Sequence, residues 1–386
     1  MKMKNKIPDT FMVSCAILCK KEGMAEYFKV RCENFVLITV IPKYSKDQKP
    51  KCEVFKNGKQ VKSFNLITIP DFISNKSKYF VHLGYIFSII YAAFKLRKRF
   101  ELFIGEGHIY TSAGLILKSF GFFKKIIYSS GDYFVDVKSF QIIDKFLNKH
   151  VDAIWSASDR MCKERLKNAG EMKAKGIQLT MPLGVEMKRK IIKNNRLKTK
   201  NVLFIGNIQE HQGLDLFIDS MQKLIKLFPD IKLEVIGTGM HQNNIKKKVS
   251  KLNLLDYVTF HGFIECQDKT DEIFSKCVCG IALYIPELSG FTKLSDPGKI
   301  KDYLSAGLPV ITTKVFNFSK EIKKCEAGEV IDYKEDQLIE AISKIIKNQS
   351  TLKTYSNKAV KLAEKYEWDK ILNRVYTGTN SFWEKS

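Results

Sequence analysis

The feature that most constrains this chain is a repeated alternation of short apolar runs with amphipathic helical stretches. In the second half the runs fall at residues 202–206, 233–237, 258–260, 279–283, 310–312 and 330–331. Helical patterns lie between them, for example over 214–228 and 337–347. Several short buried strands separated by helices imply a parallel sheet covered on both faces. The first half reads the same way, with runs at 11–18, 35–40, 102–105, 126–128 and 153–155. There, Lys56-Asn57-Gly58-Lys59 joins two alternating stretches and predicts a type I′ hairpin. The fold class expected is α/β, with two doubly wound domains.

Length agrees. A chain of 386 residues exceeds one ordinary core and fits two domains of roughly 150–200 residues. At 45% hydrophobic it is not globally disordered. No uncharged apolar run reaches the roughly 18–20 residues of a spanning helix, and the basic start lacks a small-residue cleavage site. Nine cysteines without a CxxC pair predict a reducing compartment, no disulfides and no zinc site.

The net charge of +24 is unevenly placed. Residues 1–200 hold 39 Lys and Arg against 17 Asp and Glu, a net of +22, whereas residues 201–386 hold 26 against 24, a net of +2. A basic half faces a polyanion, either an anionic membrane or a nucleic acid. No basic motif interleaved with aromatics supports nucleic-acid binding. Residues 79–94 carry no charge and are followed by Lys95, Arg97, Lys98 and Arg99. Such a segment suits an anionic interface, and suits equally a core helix whose C-terminal cations complement its dipole.

Ligands in open α/β sheets bind where strands lead into helices. Four such junctions stand out in the second half. Gly206 and Asn207 end one strand, with Gln212 and Gly213 before the next helix. Gly237-Thr-Gly239 permits close backbone approach but lacks the rest of a dinucleotide fingerprint, which excludes a nicotinamide reading. His261-Gly262 is followed by Phe263 and Ile264, against which a nucleobase can lie. The most informative stretch runs from Ser295 through Asp296, Pro297, Gly298, Lys299 and Asp302 to Gly307 and Pro309. Ser295 or Asp296 is expected to cap a helix with Pro297 in its first position. Gly298 leaves the first amides open to a phosphate, Lys299 adds a cation, and Asp302 one turn on can accept from ribose hydroxyls.

In order and spacing these stretches resemble the family 4 glycosyltransferases. The matching pieces are VLFIGN, QGLDLFIDSM, IKLEVIGTG, VTFHGFIE, PGKIKDYLSAGLPVITT and the YEWDK near the end. The resemblance covers about 60% of the chain, with looser matches at VDAIWSAS and MPLGVE in the first half. It implies the GT-B fold: an acceptor-binding Rossmann-like domain over 1–184, a basic linker over 185–200, a nucleotide-sugar-binding domain over 201–365, and a helix over 366–386 crossing back. It implies glycosyl transfer with retention, no metal and no cofactor beyond the nucleotide-sugar donor. The absence of Asp-x-Asp from the chain agrees with that.

The chain departs from the family pattern at three positions. Asn207 and Gln212 stand where the family has Arg and Lys, and Leu294 replaces the first of two glutamates, the second being Asp302. Lys293 or Lys299 is placed to compensate. On the same resemblance the catalytic candidates are His108, Asp132 and Glu287. The expected activity is transfer to a glycan or lipid-linked acceptor in cell-surface polysaccharide synthesis. The expected location is cytoplasmic, peripheral on an anionic inner membrane face, with no nucleic-acid partner. The alternative is a catalytically silent partner subunit.

Overall fold

The computed structural model describes residues 7–15, 23–40, 49–67, 78–170, 175–187, 199–288 and 290–385. The chain divides into two units, Met1–Pro182 with Trp368–Ser386, and Leu183–Glu367. The basic stretch 188–198 and the end of the first expected strand, 16–18, lie outside the described residues.

The first unit is built on β1 (Thr10–Cys15), β2 (Asn34–Val40), β3 (Lys51–Lys56), β4 (Lys59–Asn65), β5 (Phe100–Glu106), β6 (Phe123–Ser130), β7 (Ala153–Ser156) and β8 (Ile177–Thr180). They form one sheet in the order β4-β3-β2-β1-β5-β6-β7-β8. From β2 to β8 the pairs are parallel, and β3 and β4 add an antiparallel hairpin. Its turn has Asn57 and Gly58 at positive φ, as the type I′ signal requires. The helices are α1 (Met24–Lys29), α2 (Lys78–Leu96), α3 (His108–Ser119), α4 (Lys138–His150) and α5 (Asp159–Ala169). The uncharged run 79–94 therefore lies inside one helix.

The second unit alternates β9 (Asn201–Ile205), α6 (Leu214–Leu227), β10 (Lys232–Ile236), α7 (Gln242–Lys251), β11 (Val258–Gly262), α8 (Gln267–Ser275), β12 (Cys277–Ala282), α9 (Gly298–Ser305), β13 (Val310–Thr313), α10 (Phe318–Lys324), β14 (Gly328–Ile331), α11 (Glu335–Lys347) and α12 (Gln349–Ala363). All strand pairs are parallel, in the order β11-β10-β9-β12-β13-β14. Successive side chains of a strand face opposite sides of its sheet. Accordingly Val202 and Phe204 enter one buried cluster, while Leu203 and Ile205 pack with the other. The final helix, α13 (Trp368–Lys385), packs within the first unit. There the Trp155 indole donates to Thr379 Oγ1 at 2.9 Å and Tyr27 donates to Asn373 at 2.8 Å.

Helix α9 is held to the sheet by Tyr303. A Cβ at Gly280 would lie 2.4 Å from the Tyr303 ring, so only glycine leaves room for it. The Tyr303 hydroxyl accepts from the Ile205 N–H at 2.8 Å and donates to the Ile281 carbonyl at 3.2 Å. One correction concerns the helix start. Pro297 itself occupies the N-cap, and no side chain caps the helix. Asp296 accepts instead from the Leu183 N–H at 2.6 Å and pairs with Lys301, which also donates to the Leu183 carbonyl at 2.8 Å. A buried ammonium needs a carboxylate more than a helix end needs a cap, because an unpaired buried charge is much the costlier defect. Val185 donates to the Tyr366 carbonyl at 2.8 Å, so the segments where the chain enters and leaves this unit run side by side.

The Lys301–Asp296 pair is fully enclosed, with side-chain exposures of 0% and 7%. Lys301→Ala should lower the unfolding free energy of the second unit by about 3–5 kcal/mol, because it strands the Asp296 carboxylate. The double change Lys301→Met, Asp296→Asn should recover most of that loss. Urea denaturation followed by circular dichroism checks both.

Candidate functional site

In the second unit the order of connection reverses between β9 and β12. The crevice beyond their carboxyl ends is the ligand position in sheets of this kind. Gly206 follows β9 there, and α9 begins with Pro297 and Gly298. The side chain that dominates the crevice is Lys299. Its ammonium bonds the Gln212 side-chain carbonyl and lies 4.2 Å from the centre of the Phe204 ring and 5.2 Å from that of Tyr284. A side chain at Gly206 would come within 3.2 Å of the Lys299 nitrogen. Lys299 is partly exposed as a residue, but its ammonium sits among ring faces. This burial pushes it down to about 7. Burial and the neighbouring Lys299 charge also push the His211 imidazole below its usual range.

The structure brings Gly206, Gln212, Pro297, Gly298 and Lys299 together around this crevice. Gln212 uses its carbonyl oxygen on Lys299, and its amide nitrogen lies 3.3 Å from His211 Nε2. Asn207 is exposed and accepts from Gln209 at 3.2 Å. Asp302 is half-buried, one turn into α9. Gly237 serves the backbone: its N–H donates to the Gly262 carbonyl at 2.7 Å, and a Cβ there would meet the Gly206 carbonyl at 2.0 Å. Phe263 is 78% exposed just past β11, while Ile264 packs on the buried cluster around Tyr303. Glu287 is exposed and lines a separate cavity of about 300 Å³ beyond β13 and β14, with Thr313, Lys314, Asp332 and Tyr333.

In the first unit the reversal lies between β1 and β5. His108 opens α3 there, its ring 4.7 Å from Phe140 and 6.4 Å from His82, both edge-on. Burial, then the neighbouring His82, lowers it to about 4, so it is a neutral imidazole at neutral pH. Asp132 is exposed after β6, and its backbone carbonyl accepts from Ser130 at 2.9 Å. Residue-pattern reading missed Glu106, the last residue of β5. Its carboxyl accepts from Ser14 of β1, and burial raises it to about 7. The available signal was an acid closing the apolar run 102–105. Tyr284 was missed as well, because it reads as the continuation of an apolar strand.

Comparison with known proteins bears on this geometry. Residues 187–362 match the model of the glycosyl transferases group 1. The match spans the crevice and every side chain placed around it. The chain is 27% identical over 166 residues to the poly(glycerol-phosphate) alpha-glucosyltransferase of Bacillus subtilis, covering 42% of this chain and 23% of that protein. It spans less than half the length of the curated relatives it matches. Among solved structures, sucrose-phosphate synthase from Thermosynechococcus elongatus superposes with a TM-score of 0.74 at 14% identity, covering 98% of this chain and all of that one. HepE from Anabaena, in complex with UDP-glucose, gives 0.68 at 12% identity, covering 97% and all of that chain. At these identities the likeness is one of fold, and the fold is GT-B.

A bound anion beside Lys299 should raise its pKa, so binding takes up a proton. Pyrophosphate should bind most tightly below pH 7 and weaken as pH rises through the free-state value of about 7. Calorimetry in buffers of different ionisation enthalpy should show net proton uptake near pH 7.5, absent in Lys299→Met.

Proposed function

We propose that this protein is a retaining, metal-independent glycosyltransferase of the family 4 type. It would move a hexosyl group from a UDP-sugar to a glycan or lipid-linked acceptor during cell-surface polysaccharide synthesis. The observation that carries this reading is the Lys299 ammonium held against Gly206 and Gln212 beside an uncapped α9 start. The group 1 match over the same residues and the UDP-glucose bound by the structural neighbour HepE support the donor class. The glucosyltransferase of Bacillus subtilis supports a surface-polymer acceptor.

In this reading the donor diphosphate lies at the start of α9. The amides of Gly298 and Lys299 face it, and the Lys299 ammonium shifts from Gln212 onto a phosphate oxygen. When the bond between the anomeric carbon and the diphosphate breaks, the charge left on the diphosphate meets these fixed donors, which need no reorganisation. On the face that the diphosphate leaves, the acceptor oxygen bonds the anomeric carbon, and its proton passes to an oxygen of the departing diphosphate. Lys299 thereby supplies the cation that Asn207 and Gln212 do not. Asp302 takes the ribose hydroxyls and Phe263 lies beside the base. In the first unit, neutral His108 can donate or accept a hydrogen bond at an acceptor or sugar hydroxyl, with Asp132 as a further candidate. Glu287 would reach the sugar only across the β13–β14 side.

A thermal-shift series with UDP, GDP, ADP and CMP tests this. UDP should raise the melting temperature, and Lys299→Met should abolish the rise. Donor hydrolysis should fall about 100–1000-fold in Lys299→Met, the range for losing one preorganised charge-stabilising donor. Asp302→Ala should weaken UDP by about tenfold, as for a lost hydrogen bond to a charged group. No shift with any nucleotide at millimolar concentration would favour the silent-subunit reading that Asn207 and Gln212 motivate.

A further inference from the structure

The first unit carries a surface made of residues that the proposed sugar transfer does not call on. Helices α2, α3 and α4 pack side by side on the sheet, α2 against α3 through Tyr85 and Tyr110 and α3 against α4 through His108 and Phe140. Their outer faces expose large apolar groups. Leu83, Phe87 and Phe94 stand out from α2 at 46%, 65% and 50%, Phe120 just past α3 at 64%, and Ile142 and Phe146 from α4 at 69% and 54%. Spacings of four and seven along a helix put such residues on one stripe. Phe94 and Phe120 touch edge-on at 6.4 Å, which carries the stripe of α2 onto the end of α3. Single exposed apolar residues are ordinary, but several on helices that pack side by side mark a contact surface.

Charge identifies what it contacts. The three helices hold one carboxylate, Asp144, and it is buried against Arg165. Lys95, Arg97 and Arg99 stand exposed at the end of α2, and Lys145 and Lys149 flank Ile142 and Phe146 on α4. Apolar side chains ringed by cations, with no exposed carboxylate on the three helices, are complementary to an anionic lipid surface. The rings enter the headgroup boundary and the cations face the phosphates. A second copy of this chain would bring the same cations face to face, and residues 1–200 alone carry +22. Among the described residues no helix is long and apolar enough to cross a membrane, so the contact is one of lying on it.

We infer that the outer face of α2, α3 and α4 docks on a bilayer containing anionic lipid. This goes beyond the sugar chemistry and stands or falls separately from it. The test is sedimentation of the full chain with vesicles of phosphatidylcholine alone and with added phosphatidylglycerol. The protein should bind the anionic vesicles and release as salt rises, since the Debye length shortens to about 3 Å at 1 M. Lys145→Glu with Lys149→Glu should weaken binding about tenfold or more, given roughly 1 kcal/mol per cation near an anionic surface. Phe87→Ser with Phe120→Ser should weaken it comparably even at low salt. These side chains are exposed, so an unchanged melting temperature confirms that the variants remain folded. Failure to bind anionic vesicles overturns the proposal, as does binding that both double variants retain. A dimer in sedimentation velocity that Phe87→Ser with Phe120→Ser dissolves would assign the face to a second copy instead and equally overturn it.

Discussion

The second unit depends on one tyrosine. The ladder between β9 and β12 ends at Leu203 and Gly280, where the two strands begin to part. The Tyr303 hydroxyl takes over there, joining the Ile205 N–H to the Ile281 carbonyl, while its ring fills the space that Gly280 leaves open. One side chain thus satisfies backbone groups at the reversal and fixes α9 above it. Helix α9 in turn presents Gly298 and Lys299 to the crevice. Lys301, two residues on along the same helix, pairs with Asp296 just before the helix start, and both hold Leu183 at the edge of the unit. Positioning within a few tenths of an ångström is what distinguishes a preorganised site from a merely charged one. Here it rests on residues that never face the crevice.

The doubly wound α/β class was legible because short apolar runs alternating with amphipathic helical stretches admit few arrangements. Short connections and right-handed crossovers leave little choice once six such runs are in order. The same periodicity could not reveal what lies at strand ends. Glu106 follows an apolar run and reads as a loop residue, yet it is enclosed with Ser14 from a strand far away in sequence. Asp296 reads as a helix cap from local spacing alone, and Lys301, its actual partner, reads as a solvated charge. A local capping pattern is a weak preference, worth about 1 kcal/mol, and a buried charge pair overrides it. Lys299 was singled out as a possible replacement cation, but its enclosure by Phe204 and Tyr284 depends on side chains from two other strand ends.

The two units divide the work by charge. The second carries a net +7 against +17 on the first, and the charge at its crevice is one lysine whose ammonium is depressed to about 7. Such a group costs less to bury than a permanently charged one, and an arriving anion can restore its charge. Among the described residues the first unit keeps most of its lysines on the surface, where solvent carries the cost, and encloses His108 and Glu106. His108 is held neutral and Glu106 is pushed toward neutrality by burial. Surface charge and enclosed polar groups therefore occupy different parts of the same unit.

A crystal structure of the chain with UDP most directly tests the central claim that Lys299 at the start of α9 holds the donor diphosphate. The account predicts a phosphate oxygen within roughly 3 Å of Lys299 Nζ and of the Gly298 or Lys299 amide, with the Lys299–Gln212 bond broken. A nucleotide seated elsewhere, or one bound here with Lys299 still on Gln212, would contradict it.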